Sequence, residues 1–283
     1  MNERREVPEV LLACEIRGLP QRIKQHIHFR LFQEFKSKCN LEDPLTAEII
    51  RSVTSKESGL FLNADPREKK FQIKDAFFII HTKRRLQMNV VKESDLRCKS
   101  CDKFVDVMTE HTFCCAKLGK NSVHAPIVKS VVRAFKEVIG ASGLVKYEER
   151  LDPKPACVKE NPRADVVLVN IVTGQKQIVD FIFPTIKEAA TDVFSTVMFA
   201  EKDKVEFYEK NYYIEGEVIP GAIDSYGRWG DKLKELVSNV AKSGSSCEKE
   251  YSQVVNRLRT EIAVSHVRAI GKQINSFLAY HLY

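Results

Sequence analysis

The sequence predicts an α/β fold, a small sheet with helices packed on it. Three features carry that prediction. Between residues 144 and 183 lie three short apolar runs separated by turn residues, each too brief for a helix. The segments around them place apolar residues at helical spacing. From residue 125 onward the order reads helix, strand, strand, strand, helix, strand, helix, helix, which is a sheet with helices to cover it.

Three regions divide the chain. Residues 1–92 read as helical and basic. Leu19 to Cys39 sets Ile23, Ile27, Leu31, Phe32 and Phe35 on one stripe, with Arg22, Lys24, Arg30, Lys36 and Lys38 crowded around it. A second helix is expected from Pro44 to Ser55. A third starts near Lys74, carries Ala76, Phe77, Ile80 and Leu86, and ends in the basic run Lys83-Arg84-Arg85. Residues 93–120 form a polar segment rich in cysteine. Residues 121–283 hold the α/β part. Its first helix, Ala125 to Ile139, turns Ile127, Val128, Val131, Val132, Phe135 and Val138 inward and is punctuated by Gly140 and Gly143. Strands follow at Leu144–Leu151, Ala164–Asn170 and Gln177–Phe183, the last stopped by Pro184. The Val-Val-Leu-Val run of the second predicts burial on both faces. Thr173-Gly174-Gln175 makes the turn between the second and third. A long helix from Asp192 to Asn211, a strand from Tyr212 to Ile219 stopped by Pro220-Gly221, and helices at Arg228–Ala241 and Glu248–Leu278 complete the order.

The bulk properties narrow the setting. A chain of 283 residues with 43% hydrophobic content can bury a sizeable core. It holds no apolar stretch long enough to cross a membrane. Met1-Asn2-Glu3-Arg4-Arg5 lacks the pattern of a signal peptide, so an intracellular protein is expected. Clustered cysteines in that compartment are more often metal ligands than disulfides. The net charge of +7 and pI near 8.9 suit a polyanionic partner.

Of the eight cysteines, Cys14, Cys39, Cys157 and Cys247 are scattered. The others form Cys98-x2-Cys101-x9-His111-x3-Cys115, with Cys114 competing for the fourth place. Short pairs of this kind put two donors on each of two turns, as a tetrahedral zinc requires. Four donors leave no position open for water, so the site is structural.

A second constellation is acidic. Asp165 follows Pro162-Arg163-Ala164 at the start of the second strand, and Asp180 follows Ile178-Val179 on the third. Neighbouring strands joined by a short turn can bring the two aspartates together at one end of the sheet. Buried carboxylates are costly unless paired or bound to metal, and two that converge suit Mg²⁺. The next helix supplies Lys202, Lys204 and Lys210 with Glu201, Glu206 and Tyr208, so a lysine there could polarise an attacking water.

Together these segments resemble the restriction-like endonuclease region of non-LTR (LINE-type) retrotransposons. Cys98-Lys99-Ser100-Cys101, Glu110-His111-Thr112-Phe113-Cys114-Cys115, Gly119 and His124 resemble its CCHC knuckle and the linker after it. Pro162 to Val169 and Val179-Asp180-Phe181-Ile182 are similar to its nuclease strands, and Ala200 to Lys204 with Tyr208 to its lysine-bearing helix. Pro220, Ser225-Tyr226-Gly227 and Trp229-Gly230 look like the segment after the fourth strand, and weaker similarity reaches back to Gly59–Leu86. The resemblance implies a PD-(D/E)XK fold (αβββαβ) and Mg²⁺-dependent nicking of one DNA strand, with the new 3′-hydroxyl priming reverse transcription. It implies Asp165 and Asp180 as Mg²⁺ ligands, Lys204 or else Lys202 beside the attacking water, Tyr208 to position a phosphate or brace the lysine, and Glu148 or Glu149 as a third carboxylate. DNA, the element RNA and the reverse transcriptase region are the implied partners, in the nucleus.

The chain departs from the family pattern at Ala164, often proline there, and at Phe207, often basic. At Ile182, two residues beyond Asp180, no lysine stands, so the lysine must come from the helix. The chain also has no Tyr/Phe-x-Asp-Asp polymerase motif, as expected for a C-terminal piece or a shortened descendant. The rival readings are a catalytically inactive zinc-containing nucleic-acid-binding module of the same family, and a zinc-bearing interaction protein.

Overall fold

A computed structural model describes residues 43–91, 96–115, 121–140, 143–155, 163–170, 173–186 and 195–282. The basic helix expected over Leu19–Cys39 lies outside the described residues.

Helix α1 (Pro44–Thr54) starts as its sequence dictates. Pro44 takes the first position, where no amide hydrogen is needed, and the Asp43 carboxylate accepts from Thr46 N at 2.9 Å. After two 3-10 turns, Glu57–Asn63 and Lys69–Phe71, comes helix α2 (Asp75–Arg85). Its terminal basic run is not uniformly solvated. Arg84 is fully buried, and Arg85 donates to Ser58 Oγ and Val53 O, each at 2.7 Å.

The cysteine-bearing segment ends in a single helical turn, α3 (His111–Cys114). Helix α4 (Asn121–Ile139) begins four residues before the expected Ala125 and runs through Pro126. A proline there removes one backbone hydrogen bond. The added turn seats Val123 in the core and holds His124 against Asp165 at 3.0 Å, and these contacts offset the loss.

The main sheet contains β1 (Gly143–Arg150), β3 (Arg163–Asn170), β4 (Lys176–Ile182) and β6 (Glu217–Ala222), side by side in that order. A small ribbon pairs β2 (Asp152–Pro153) with β5 (Tyr212–Tyr213). The first three sheet strands are antiparallel, and β6 joins β4 in parallel after helix α5 (Thr196–Asn211) crosses between them. The single strand expected over Tyr212–Ile219 is therefore two, and it does not stop at Pro220. That residue pairs with Asp180 inside β6. Because β6 is an edge strand, a missing amide hydrogen is tolerated.

The sheet is covered on both sides, as the apolar run of β3 predicts. Val166, Leu168, Val179 and Phe181 pack with α4, α6 (Asp231–Ser243) and α7 (Glu248–Leu282). Ala164, Val167 and Ile178 meet Tyr208 and Tyr212 on the other side. Helix α7, 35 residues and about 52 Å long, is the spine of the molecule. It takes Phe61 and Phe71 against Val264 and Val267, and the knuckle residues Val91, Leu96 and Val105 against Phe277. Residues 43–91 and 96–115 thus share a body with the α/β part. Among the described residues no helix is long and apolar enough to cross a membrane.

Candidate metal-binding centres

Among the described residues, two groups of side chains could each hold a metal ion: Cys98, Cys101, His111 and Cys115, and His124, Asp165 and Asp180. Within each, one ligand atom per residue lies within 4.8 Å of all the others.

The first group is built locally. Cys98 and Cys101 lie on a tight turn, with Cys101 N and Asp102 N both donating to Cys98 O, at 3.2 and 2.7 Å. Asp106 braces the opposite side by accepting from the amides of Met108, Glu110 and His111. The sulfurs of Cys98 and Cys115 are 3.9 Å apart, those of Cys115 and Cys101 3.6 Å, and Cys101 Sγ is 3.3 Å from His111 Nε2. A tetrahedral zinc with Zn–S near 2.3 Å would separate its sulfurs by about 3.8 Å, and a sulfur from a nitrogen by about 3.5 Å. The donor set and its spacing fit such an ion. The cluster joins Cys115 to the other three. Cys114, the rival for that place, lies on α3, and its side chain is outside the described ones.

Arg84 fastens this segment to the body. Its guanidinium pairs with Glu110, donates to Ser225 O at 2.8 Å, and lies between the rings of Phe113 and Tyr226. Burial opposes its charge, but the neighbouring Glu110 carboxylate holds the arginine pKa above its ordinary value. One buried cation thereby joins α2, the knuckle and the loop after β6.

The second group is assembled from distant parts of the chain. Val166 pairs with Val179, so Asp165 and Asp180 face each other one position further along the same two strands. Like charges directly opposed are unfavourable, and each carboxylate has its own compensation. Asp165 Oδ2 accepts from Phe181 N at 2.7 Å and meets His124 Nε2 at 3.0 Å. Asp180 Oδ2 accepts from Tyr208 Oη at 2.6 Å and from Lys204 Nζ at 2.7 Å, both from α5. Burial and then the Asp165 carboxylate push the Asp180 pKa upward, against the pull of Lys204. Burial also disfavours ionised Asp165, but His124, the Asp180 carboxyl and the Phe181 amide together bring its pKa below the ordinary value. His124 is raised in turn, because Asp165 outweighs burial. Burial and then Asp180 lift the Tyr208 hydroxyl far above the phenol range, so it stays a proton donor.

The expected residues divide cleanly. Asp165, Asp180, Lys204 and Tyr208 come together. Lys202 does not join them, since its side chain is 72% exposed and lies 3.7 Å from Glu206. Neither Glu148 nor Glu149 supplies a third carboxylate to the group. Glu148, at φ +52°, pairs with Arg163 at 3.1 Å, and Glu149 pairs with Lys146 at 2.7 Å. The third member is His124. Its signal was its phase: His124, Val128, Val131 and Phe135 fall on one stripe of α4, so a histidine continues an apolar face. Comparison of the chain with protein-family models and with curated proteins finds no match.

Proposed function

We propose that this protein is a Mg²⁺-dependent DNA endonuclease of the PD-(D/E)XK kind, with a structural zinc in the knuckle. The observation that carries the reading is the convergence of Lys204 and Tyr208 on the carboxylate of Asp180, opposite Asp165. Three antiparallel strands, a crossing helix and a parallel fourth strand behind α4 support it as well.

Hydrolysis of a DNA phosphodiester adds a water oxygen to phosphorus and breaks the P–O3′ bond. The leaving oxygen takes a proton, which yields a 3′-hydroxyl and a 5′-phosphate. Asp165 and Asp180 would hold Mg²⁺, which prefers such hard oxygen donors and, when bound, acidifies a water and offsets charge on the phosphate. His124 braces Asp165, and Tyr208 fixes the rotamer of Asp180. Lys204, anchored on Asp180, presents its ammonium to the attacking water and to the charge that develops at phosphorus. The closed Cys98–Cys101–His111–Cys115 set would hold zinc with no position left for substrate. In this reading the nicked strand primes reverse transcription, with the element RNA and the reverse transcriptase region as partners.

The test is conversion of supercoiled plasmid to open circle under Mg²⁺. Asp180→Asn keeps the shape and removes the charge. It should bind DNA as the parent does and nick about a hundredfold more slowly or worse, on the order of 3 kcal/mol of barrier. Lys204→Ala should lose nicking in the same assay. Wild-type nicking by Asp180→Asn would refute the assignment and leave a nucleic-acid-binding module.

A further inference from the structure

A groove of about 690 Å³ lies apart from both metal-binding centres. It runs between the 3-10 turn Lys69–Phe71 with the start of α2, the outer face of α4, and α7. Six cations line it: Lys69, Lys74, Lys129, Arg133, Arg268 and Lys272. Among the described residues no acidic side chain does. Among the described residues none of the six forms an ion pair with a carboxylate, although the chain carries 38 acidic residues. Arg268 is held in place by main-chain oxygens alone, donating from Nε to Gln72 O at 2.7 Å and from Nη2 to Lys69 O at 3.2 Å. Partial burial and then Arg133 lower its pKa, so the two guanidiniums repel each other across the groove. Like charges gathered without counter-charges work against the fold, and a polyanion relieves them.

The groove does not belong to the Asp165 centre. Along α4, Arg133 is nine residues from His124, which at about 100° per residue puts them on opposite sides of the helix. Its floor is Phe77 beneath the close crossing of α2 and α7, where a side chain on Gly271 would collide with that ring. The cations therefore stand on rigid, packed elements.

We propose that this groove binds the phosphate backbone of duplex DNA away from the scissile phosphate, so that the protein grips its substrate at a place where it does no chemistry. The identity of the polyanion rests on the nuclease reading; the existence of the site rests on the groove. Two consequences follow. Binding should be sequence-independent here and steeply salt-dependent, because each neutralised phosphate releases counterions. Loss of the groove should weaken binding without slowing the cut once DNA is saturating.

The test is the triple variant Lys129→Gln, Arg133→Gln, Lys272→Gln in the full chain. All three side chains are exposed, and an unchanged melting temperature would show that the fold is intact. Fluorescence anisotropy with a labelled duplex is read across a salt series. The slope of log affinity against log salt should fall by about 2 to 3, at roughly 0.9 per lost phosphate contact, and affinity at moderate salt should fall at least about tenfold. Single-turnover nicking at saturating DNA should match the parent. A parental slope and affinity for duplex DNA would overturn the proposal. So would a loss confined to single-stranded RNA, which would make the groove an RNA site. If the parent does not nick but the variant still loses the salt slope, the groove stands and the nuclease reading fails.

Discussion

The two metal-binding centres share a body and follow opposite designs. The cysteine centre takes all four donors from eighteen consecutive residues, closes on itself and fits a tetrahedral ion. The aspartate centre takes His124 from α4, Asp165 from β3, Asp180 from β4, and Lys204 and Tyr208 from α5, and offers three candidate ligands, one fewer than a closed tetrahedral set. A closed set stores its free energy in holding a fold. An open set supported by separate elements keeps its reactive groups in place while leaving room for a reaction.

The largest effect should come from emptying the closed site. Structural zinc in small knuckles supplies on the order of 10 kcal/mol of folding free energy. Cys101→Ser should lose bound zinc, measured by metal content, and residues 96–115 should lose their amide-exchange protection. Cys247→Ser, exposed and outside the cluster, should do neither. Retention of zinc by Cys101→Ser would remove the contrast between the centres.

A smaller effect tests how the open site is held. Tyr208→Phe removes one donor from Asp180 and leaves Lys204 in place. Nicking should fall about tenfold, near 1.4 kcal/mol of barrier, with zinc content untouched. An unchanged nicking rate would show that the lysine alone positions the carboxylate.

The smallest effect separates the scaffold from the site on one helix. On α5, Glu201 lies one turn before Lys204 and accepts from Lys232 N at 3.2 Å, serving the start of α6, whose own N-cap residue is Gly230. Burial raises its pKa from 4.5 to about 7. The folded state therefore holds this proton more tightly than the unfolded one. That contribution to stability is complete below the unfolded value and is lost as pH rises toward about 7. Glu201→Gln should flatten the fall in melting temperature between mildly acidic and neutral pH. An identical pH profile in the variant would show that Glu201 does not titrate there.

Much of this was legible in the residues. Short apolar runs bounded by turn residues placed β1, β3 and β4 within a residue or so of their bounds, because a run too brief for a helix and apolar on both faces fits a covered strand. Pro220 misled, because a proline reads as a stop until the strand is known to lie on an edge. The start of α4 was missed as well: the helix was expected from Ala125, but packing of Val123 and His124 extends it back to Asn121.

By itself the sequence determined what is local. The cysteine centre could be read from spacing, since a turn brings near neighbours together whatever surrounds them. The meeting of Asp165 and Asp180 followed from two strands and a short connection. Tertiary structure decided the rest. Lys202 and Lys204 are chemically alike, but two residues of helix turn them about 200° apart, and only docking of α5 against β4 selects Lys204. It also chose His124 over Glu148 and Glu149, buried Arg84 out of the basic run that ends α2, and gathered six cations from three separate segments into one groove. Such choices depend on which faces of distant elements meet, and chain order carries that information only through the packed core.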